Sequence, residues 1–579
     1  MRLKKLVSGF CAGKCLQWSS IWWLLPVAML FACSAQGDEG VQETLRQQER
    51  ERALRQRQEF RPDVRLERGS SLGVERLPQA EVPCFRIDRI ALHGDAAAHF
   101  DWAVQAADLA DDPATGRCLG ADGINLIMKR VQNAIMARGY VTTRVLAEPQ
   151  DLKQGALVLT VVPGRIRNIR FAADSSPRTT QWNALPVVSG EILNLRDIEQ
   201  GLENFKRLPT ADADIQIVPA EGLDAVPGES DLVIAWTQGM PFRLNLTADD
   251  GGSKYTGKYQ GSLTFSYDHW WTLNDLFYVS FNHDLGGGYR GSKGTRGYTV
   301  HYEVPYKYWL LGFTSSSHAY HQSVAGANQT YIYSGTSENS EARLTRLLYR
   351  DAVRKSSAYL RAWGRGSTNL IDDTEVEVQR RRMGGWELGL SHREFINAMT
   401  LDATLAYRKG TGMFASLPAP EEAFGEGTSR PSLVTLDAQL SLPFEWGSER
   451  LRYASAWRGQ WNQTPLVAQD RFSIGGRYTV RGFDGETTLM GDRGWLVRNE
   501  LAWAQERTAQ ELYLGLDYGE VGGQSARLLA GQHLVGTVLG VRGAYQGLSW
   551  DMFVGRPLSK PAGFRTAQNT AGFSLSWAY

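Results

Sequence analysis

The strongest constraint on the fold is an alternation of apolar and polar residues that recurs from about residue 240 to the end of the chain. In the segment SLTFSYD, Leu263, Phe265 and Tyr267 fall on one face and the polar residues between them fall on the other. A period of two is typical of β-strands that have one apolar and one polar face. The same pattern returns in LFYVSFN (276–282) and LDAQLSL (436–442). The C-terminal part of the chain is therefore predicted to consist of β-strands.

Two folds fit such strands. In a soluble sandwich the apolar faces pack into a core, whereas in a membrane barrel they contact lipid and the polar faces line an aqueous lumen. Residues 240–579 leave about 21 residues for each strand with its turn and loop if a barrel has about 16 strands. The last segment, GFSLSWAY, alternates in the same way and ends the chain on the aromatic residue Tyr579. The predicted fold of residues 240–579 is a transmembrane barrel of about 16 antiparallel strands.

The N-terminus has the layout of an export signal. Basic residues precede the apolar stretch IWWLLPVAMLFA (21–32), and small residues follow it. This layout predicts a secretory signal peptide over residues 1–35. One alternative is a short membrane anchor, but twelve apolar residues are too few to span a bilayer comfortably. The other is a lipoprotein signal acylated at Cys33, which the bulky Phe31 close to the cleavage point disfavours. No later apolar run reaches the roughly 18 residues that a membrane helix needs, so a helical membrane protein is excluded.

Export from the cytoplasm affects how the cysteines are interpreted. Cleavage near Ala35 would leave Cys84 and Cys118 as the only cysteines of the mature chain. Two cysteines in an exported protein predict one disulfide bond.

A charged segment opens the mature chain. Residues 42–61 are dense in Glu, Gln and Arg and have almost no apolar stripe; they read QETLRQQERERALRQRQEFR. A helix here has no face to bury and depends on charge pairs between neighbouring turns. It is either a solvated arm or a polar helix inside a wide, charge-lined channel. Residues 62–83 contain Gly and Pro and are predicted to form a linker.

Two modules follow, at residues 84–163 and 164–239, and both have the order strand, helices, strand, strand. The first contains CFRIDRIALHG, the helical GINLIMKRVQNAIMARGY, and the strands VTTRVLAEP and ALVLTVVPG. The second contains GRIRNIRF, the amphipathic LRDIEQGLENFKRL, and the strands ADIQIVPA and SDLVIAWTQ. The shared order and similar length of about 75 residues favour an internal duplication of architecture over two unrelated domains.

The motifs that would indicate catalysis or cofactor binding are incomplete in this sequence. The string GSKYTGKY (252–259) has Gly and Lys at phosphate-loop spacing but ends in Tyr259 where Ser or Thr would bind magnesium. The histidines form no HExxH pair. The acidic string IDDTEVE (371–377) is interpreted as a solvated loop. The net charge of +1 argues against a nucleic-acid binder. We therefore expect no enzyme activity, no metal, no cofactor and no nucleic acid.

One pair of strings indicates a polar contact inside the barrel. RFSIGGRYTVRGFDGE (471–486) is a Gly-rich turn with Arg481 at the centre of VRGF. LGLDYGEV follows about forty residues later and contains Asp517. An Arg and a carboxylate in a polar lumen can form a charge-assisted, bidentate contact that fixes a loop against the barrel wall.

These strings together resemble the two-partner secretion transporters, also called haemolysin activator or secretion proteins, within the superfamily of POTRA-plus-barrel outer-membrane proteins. The resemblance covers nearly the whole mature chain. It comprises the charged N-terminal helix, PCF and RCLG around the two cysteines, RGYVTTRV, QDLKQGALVLTVVPG, VRGF and GLDYG.

The resemblance implies roles for particular residues. The sixth extracellular loop would fold back into the lumen, and the helix at 42–61 would plug the pore. The tip of that loop would be Val480, Arg481, Gly482 and Phe483, and its partner on the barrel wall would be Gly515, Asp517 and Gly519. The pattern of Cys84 and Cys118 is most similar to transporters of haemolysins and contact-dependent growth-inhibition toxins.

The resemblance also implies a function and a location. The barrel would lie in the outer membrane of a Gram-negative bacterium, and POTRA modules in the periplasm would capture a large, β-rich exoprotein for export. Further expected partners are outer-membrane lipid and the barrel assembly machinery, which would recognise the C-terminal strand. Two alternatives remain: an assembly factor of the same superfamily, which the plug-like helix disfavours, and a passive porin, which has no need of tandem POTRA modules.

Overall fold

The computed structural model describes residues 25–59, 61–66, 75–505 and 509–579, with side chains from Gly40 onward. Residues 1–24 of the predicted signal peptide and the side chain of Cys33 lie outside the described part. Among the described residues, no helix is both long and apolar enough to cross a membrane.

Helices and strands are numbered in chain order. The helices are α1 (Leu25–Gln58), α2 (Ala97–Phe100), α3 (Ala121–Ala137) and α4 (Leu195–Lys206). The strands before the barrel are β1 (Phe85–Arg86), β2 (Arg89–His93), β3 (Cys118–Leu119), β4 (Arg144–Leu146), β5 (Ala156–Val162), β6 (Arg165–Phe171), β7 (Ala211–Pro219) and β8 (Glu229–Gln238). The remaining strands are β9 (Phe242–Asp249), β10 (Tyr259–Asp268), β11 (Leu276–Gly286), β12 (Lys293–Tyr306), β13 (Trp309–Ala325), β14 (Thr330–Arg350), β15 (Arg354–Ile371), β16 (Thr374–Glu375), β17 (Arg381–Ile396), β18 (Met399–Thr411), β19 (Ser432–Trp446), β20 (Glu449–Asn462), β21 (Phe472–Ile474), β22 (Leu489–Gly491), β23 (Arg493–Gln505), β24 (Gln510–Gly522), β25 (His533–Tyr545), β26 (Leu548–Ser559) and β27 (Thr570–Ala578).

The first module packs α3 against a sheet in which β5 lies between β2 and β4. Ile127, Val131 and Ile135 recur at helical spacing on α3 and are fully buried, so one face of the helix covers the sheet. The segment CFRIDRIALHG, predicted as one strand, forms two. β1 pairs with β3, whereas β2 pairs with β5, and the fully buried Ile87 lies between the two strands.

The start of this module is fixed at two points. Cys84 and Cys118 form the predicted disulfide, with Cα atoms 5.2 Å apart, and join the residue before β1 to the start of β3. Before it, the Leu77 backbone N–H donates to the Asp112 carboxylate at 2.8 Å. That hydrogen bond, followed by one from Arg130, lowers the pKa of the Asp112 carboxyl below its ordinary value.

The second module repeats the arrangement of the first. Its sheet has β8 between β6 and β7, and β6 runs parallel to β8 as β2 does to β5. Ile198, Leu202 and Phe205 of α4 are buried against the sheet, beside the fully buried Trp236 of β8. The two modules therefore share one architecture.

Sixteen antiparallel strands close into a barrel, as predicted from the sequence. They are β9–β15, β17–β20 and β23–β27, and β27 pairs back with β9. Alternation sets the two faces. On β24, Leu512, Leu514 and Leu516 are about half exposed on the outside, while Tyr513 and Asp517 are buried on the inside. The apolar outer face suits contact with lipid.

The barrel has two different ends. Short turns, such as Lys307–Tyr308 between β12 and β13, lie at the end that faces the modules, which we call the module end. Longer connections lie at the other end, the loop end, and the sixth of them joins β20 to β23 over residues 463–492. The second module docks on the module end, where the Thr210 hydroxyl donates to Asp268 at 2.9 Å.

Candidate functional site: the plugged lumen and its sixth loop

α1 runs through the barrel lumen from the loop end to the module end. At the loop end, Thr256 donates a hydrogen bond to Glu43 at 2.9 Å. At the module end, Gln58 accepts hydrogen bonds from Ser266 at 3.2 Å and from Arg243 at 3.3 Å. The predicted charged helix at 42–61 thus corresponds to the C-terminal half of α1, which begins at Leu25 and ends at Gln58.

Charged side chains of α1 contact several strands of the barrel wall. Glu49 accepts two hydrogen bonds from Arg458 of β20, at 2.8 and 2.9 Å. Glu51 accepts one from the Ser316 hydroxyl of β13 at 2.6 Å. These contacts hold the helix from different sides of the lumen, with no apolar packing face needed.

The wall itself is lined with paired charges. Glu341 accepts hydrogen bonds from Arg55 of α1 at 2.5 Å and from Arg361 of β15 at 3.0 Å. Glu387 of β17 accepts from Arg408 of β18 at 2.9 Å. A helix that is polar on every side is stable in such a lumen because each charge has a partner.

The sixth loop folds into the lumen and places Arg481 against Asp517 of β24. The Arg481 guanidinium donates to both carboxylate oxygens, from Nε at 2.8 Å and from Nη2 at 2.9 Å. The Arg481 backbone N–H donates to the same carboxylate at 2.9 Å. Asp517 is fully buried, and a buried carboxylate needs such charge-assisted hydrogen bonds.

A second acid completes this contact. Arg481 Nη1 donates to Glu500 of β23 at 2.8 Å, and Glu500 also accepts from Arg542 at 2.6 Å. Glu500 was not predicted from the sequence. Its signal was its place in NELAW, where alternation puts it on the luminal face two residues after Arg498.

Apolar residues of the same loop tip are buried as well. Val480 is fully buried and Phe483 is 4% exposed, in a cluster with Leu496 and Leu534 of the wall. Gly482 between them has φ +94°, a conformation that L side chains rarely adopt. The VRGF tip therefore combines one charge contact with two apolar anchors.

The two predicted wall glycines lie under this tip. A Cβ atom on Gly515 would come within 2.6 Å of Arg481 Nη2, and one on Gly519 would come within 2.7 Å of Val480. Gly536 of β25 was missed, although a Cβ there would lie 1.9 Å from the Arg481 carbonyl oxygen. Side chains at these positions would push the tip away from the wall.

The sixth loop and α1 also touch each other. Arg46 donates to the Gly485 carbonyl oxygen at 2.9 Å, and Gln48 donates to the Gln469 carbonyl oxygen at 3.5 Å. The helix is therefore held by the barrel wall and by the loop together.

The chain after α1 is held where the second module meets the barrel. The Leu66 backbone N–H donates to Glu199 of α4 at 2.9 Å, and the Val64 N–H donates to Glu203 at 3.3 Å. Both carboxylates pair with Arg350 at the module end, each at 3.0 Å. This junction ties together α1, the second module and the barrel.

Each module has strands with an unpaired edge. Within the described residues, β4 pairs only with β5, and β7 pairs only with β8. Backbone groups along such an edge are available to an added strand.

Comparison with protein families identifies both parts of the chain. Residues 228–543 match the family described as haemolysin secretion/activation protein ShlB/FhaC/HecB. Residues 85–164 match a POTRA domain of ShlB type, and residues 165–219 match a POTRA domain.

Individual relatives share the same architecture. The outer membrane transporter CdiB-2 of Burkholderia pseudomallei strain 1026b is 39% identical over 512 residues, 86% of each chain. The hemolysin transporter protein ShlB of Serratia marcescens is 26% identical over 70% of this chain and 71% of its own. The solved structure of CdiB from Acinetobacter baumannii superposes with a TM-score of 0.82 at 28% identity, over 93% of this chain and 99% of that one. The chain therefore belongs to the haemolysin secretion/activation family and is an outer-membrane transporter of two-partner secretion whose POTRA domains lie in the periplasm.

Proposed function

We propose that this transporter captures a large exoprotein in the periplasm through its POTRA modules and passes it, unfolded, through the barrel to the cell surface. The observation that carries the proposal is that α1 lies in the lumen and is held there mainly by hydrogen bonds and ion pairs. Such a plug can leave without exposing an apolar surface to water. The vacated lumen would be wide, hydrated and lined by paired charges.

The POTRA modules supply the capture step. An unfolded segment adds a strand to an open sheet edge through main-chain hydrogen bonds, with modest demands on its sequence. β7, with residues Ala211–Pro219, offers the longer of the two unpaired edges described above. Because this module also contacts the barrel, a segment bound there would be close to the pore entrance.

The sixth loop has a positioning role in this proposal. Arg481 fixes the loop tip to Asp517, and the same loop contacts α1 through Gly485 and Gln469. The loop would hold the plug at rest and shape the lumen during passage. No chemical catalyst takes part, since folding of a β-rich exoprotein outside the cell would itself make its return unfavourable.

The cargo is proposed to be a haemolysin, an adhesin or a contact-dependent growth-inhibition toxin. Support comes from the relatives of Serratia marcescens and Proteus mirabilis, which are named hemolysin transporter proteins. The remaining proposed partners are outer-membrane lipid around the apolar outer face and the barrel assembly machinery, which would recognise β27.

The test is secretion of the large β-rich exoprotein encoded beside this gene, in cells with and without this chain. We expect the exoprotein to reach the surface or the medium only when the chain is present, while other outer-membrane barrels stay at normal levels. Unchanged secretion together with a loss of other barrels would contradict the proposal and indicate an assembly factor instead.

A further inference from the structure

Three potential metal ligands meet at the periplasmic end of the lumen. Glu59 directly follows α1, and His301 and Glu303 lie two residues apart on the luminal face of β12. Their ligand atoms all lie within 4.8 Å of one another. The three side chains are 15%, 5% and 13% exposed, respectively. They are therefore shielded from solvent, although two of them are acids.

His301 has a nitrogen without a partner. Its Nδ1 lies 2.9 Å from the Thr314 hydroxyl, whereas its Nε2 is buried without a hydrogen-bond partner and lies 3.8 Å from Glu59 Oε1. The Tyr278 ring stacks on the imidazole at 4.9 Å and fixes its plane. An imidazole held through one nitrogen, with the other aimed at carboxylates, is the usual arrangement of a histidine that binds a metal.

We propose that Glu59, His301 and Glu303 bind one divalent transition-metal ion, with Zn²⁺ the best fit to one imidazole and two carboxylates. Tetrahedral Zn²⁺ with bonds of about 2.0–2.1 Å brings its ligand atoms to about 3.3 Å from one another. The present separations need only small rotations of the two flexible Glu side chains. A water molecule would fill the fourth position.

Both carboxylates already have a cationic neighbour. Arg207 of the second POTRA module pairs with Glu303, and Arg55, which pairs with Glu341, also lies near Glu59. A carboxylate has two oxygens, so Glu303 can keep Arg207 on one and bind the ion with the other. Binding would also give the buried Nε2 of His301 a partner, and burying a polar nitrogen without one is costly.

The ion would connect the end of the plug helix to the barrel wall. Glu59 belongs to the α1 end of the chain, and the other two ligands belong to β12. A bound ion would therefore have to release Glu59 before α1 could leave the lumen. This consequence rests on the proposed function, whereas metal binding itself does not.

The test is zinc binding by the purified full-length protein in detergent, without a polyhistidine tag and after removal of metals by a chelator. We expect one tightly bound Zn²⁺ per chain, and a visible absorption spectrum of Co²⁺ bound through nitrogen and oxygen when Co²⁺ replaces it. Glu59→Gln, which keeps the size of the side chain, and His301→Ala should each weaken binding by about tenfold or more.

His392→Ala is the matched control, because His392 lies 3.6 Å from Glu394 on the same barrel but belongs to no group of three potential ligands among the residues that the structure describes. It should bind zinc as the wild type does. Heat-modified gel migration reports whether each variant retains a folded barrel. Absence of a bound ion in the wild type, or equal binding by folded Glu59→Gln and His301→Ala, would overturn the site.

Channel recordings separate the site from its effect on the plug. Zinc should make channel openings at least severalfold rarer in the wild type and leave the Glu59→Gln variant unchanged. Zinc binding at this site with equal opening frequencies would overturn the connection to plug release and leave the proposed secretion function unaffected.

Discussion

Arg481 connects a loop to two different strands of the barrel wall, Asp517 on β24 and Glu500 on β23. Arg481→Ala would leave the fully buried Asp517 with the Arg481 backbone N–H at 2.9 Å and the more distant guanidinium of Arg498 at 3.8 Å. Removing one partner of a buried ion pair typically costs about 3–5 kcal/mol. The pairs within the barrel sheet do not depend on this contact. We therefore expect the variant barrel to insert normally but to lose most of its export, as measured by exoprotein in the medium.

The control for this variant lies in the same loop. Arg471→Ala removes a side chain that contacts Asp492 at 3.8 Å and the Leu466 carbonyl oxygen at 3.3 Å, both within the loop itself. This variant should secrete nearly as well as the wild type. Arg481→Lys keeps the positive charge but not the bidentate hydrogen bonding to Asp517, so its export should lie between that of Arg481→Ala and that of the wild type. Normal export by Arg481→Ala would show that export does not require the contact between Arg481 of the loop and the barrel wall.

The barrel wall beneath the tip of the sixth loop gives a second prediction. Gly536→Ala would place a Cβ atom 1.9 Å from the Arg481 carbonyl oxygen, so the tip has to move away from the wall. We expect loop six to become sensitive to trypsin in intact cells. Gly366→Ala, a barrel glycine whose Cβ would meet only one atom at 3.9 Å, is the control and should stay resistant. Equal resistance of both variants would show that the tip does not need this contact.

At this scale, Arg481 and Asp517 could be selected from the sequence because each lies in a short, distinctive string. For Glu500, alternation along its strand gives a luminal position but no partner, and the same holds for Gly536, because their contacts depend on which luminal positions of neighbouring strands lie side by side. That register is a property of the closed barrel and leaves little trace in one strand's sequence.

Among the elements, the start of β3 in the first POTRA module is cross-linked to the residue before β1 by the disulfide between Cys84 and Cys118, which are separated by 34 positions. In the chain-entropy model, a loop of this length contributes about 4 kcal/mol to the free energy of unfolding. Cys84→Ser with Cys118→Ser should therefore lower the thermal stability of this module. Differential scanning fluorimetry of the purified module, with the reduced wild type as reference, measures the loss. Equal stability of oxidised and reduced wild type would contradict the prediction.

The plug helix gives the next prediction. Deletion of residues 42–58 would remove the contacts of α1 with the wall while leaving every pair of barrel strands in place. We expect a folded barrel with a stable, large conductance in planar bilayers, compared with rare openings of the wild type. Glu75→Gln, which affects only a pair with Lys129 in the first POTRA module, is the control. Wild-type conductance after the deletion would mean that α1 does not block the pore.

The elements differ in how well their sequences predict them. Alternation identified the barrel strands because one face contacts lipid and the other water over many residues. The split of CFRIDRIALHG into β1 and β2 was missed because both pieces alternate alike, and only the pairing of β1 with β3 separates them. The charged helix was predicted from composition alone, since a helix without an apolar stripe has no periodic signal at its ends.

In the whole molecule, α1, the sixth loop and the second POTRA module meet along one continuous path. α1 contacts the loop through Arg46, and the chain after α1 is held between Glu199 of the POTRA module and the barrel. These contacts connect the POTRA module to α1 through the chain between them. Domain order and barrel fold followed from the sequence, but this junction did not, because its residues are distant along the chain.

The most direct measurement ties α1 to the wall. Glu51→Cys with Ser316→Cys replaces a contact of 2.6 Å between α1 and β13, and a disulfide there would hold the helix in the lumen. The control, Thr264→Cys with Ser280→Cys, replaces a contact of 2.8 Å between neighbouring strands β10 and β11 and leaves α1 free. Secretion is then measured with and without reductant, beside the wild type. We predict that the cross-link between positions 51 and 316 blocks secretion until reductant is added, and that the cross-link between positions 264 and 280 does not. Full secretion by protein that is fully cross-linked between positions 51 and 316 would contradict the claim that α1 must leave the lumen.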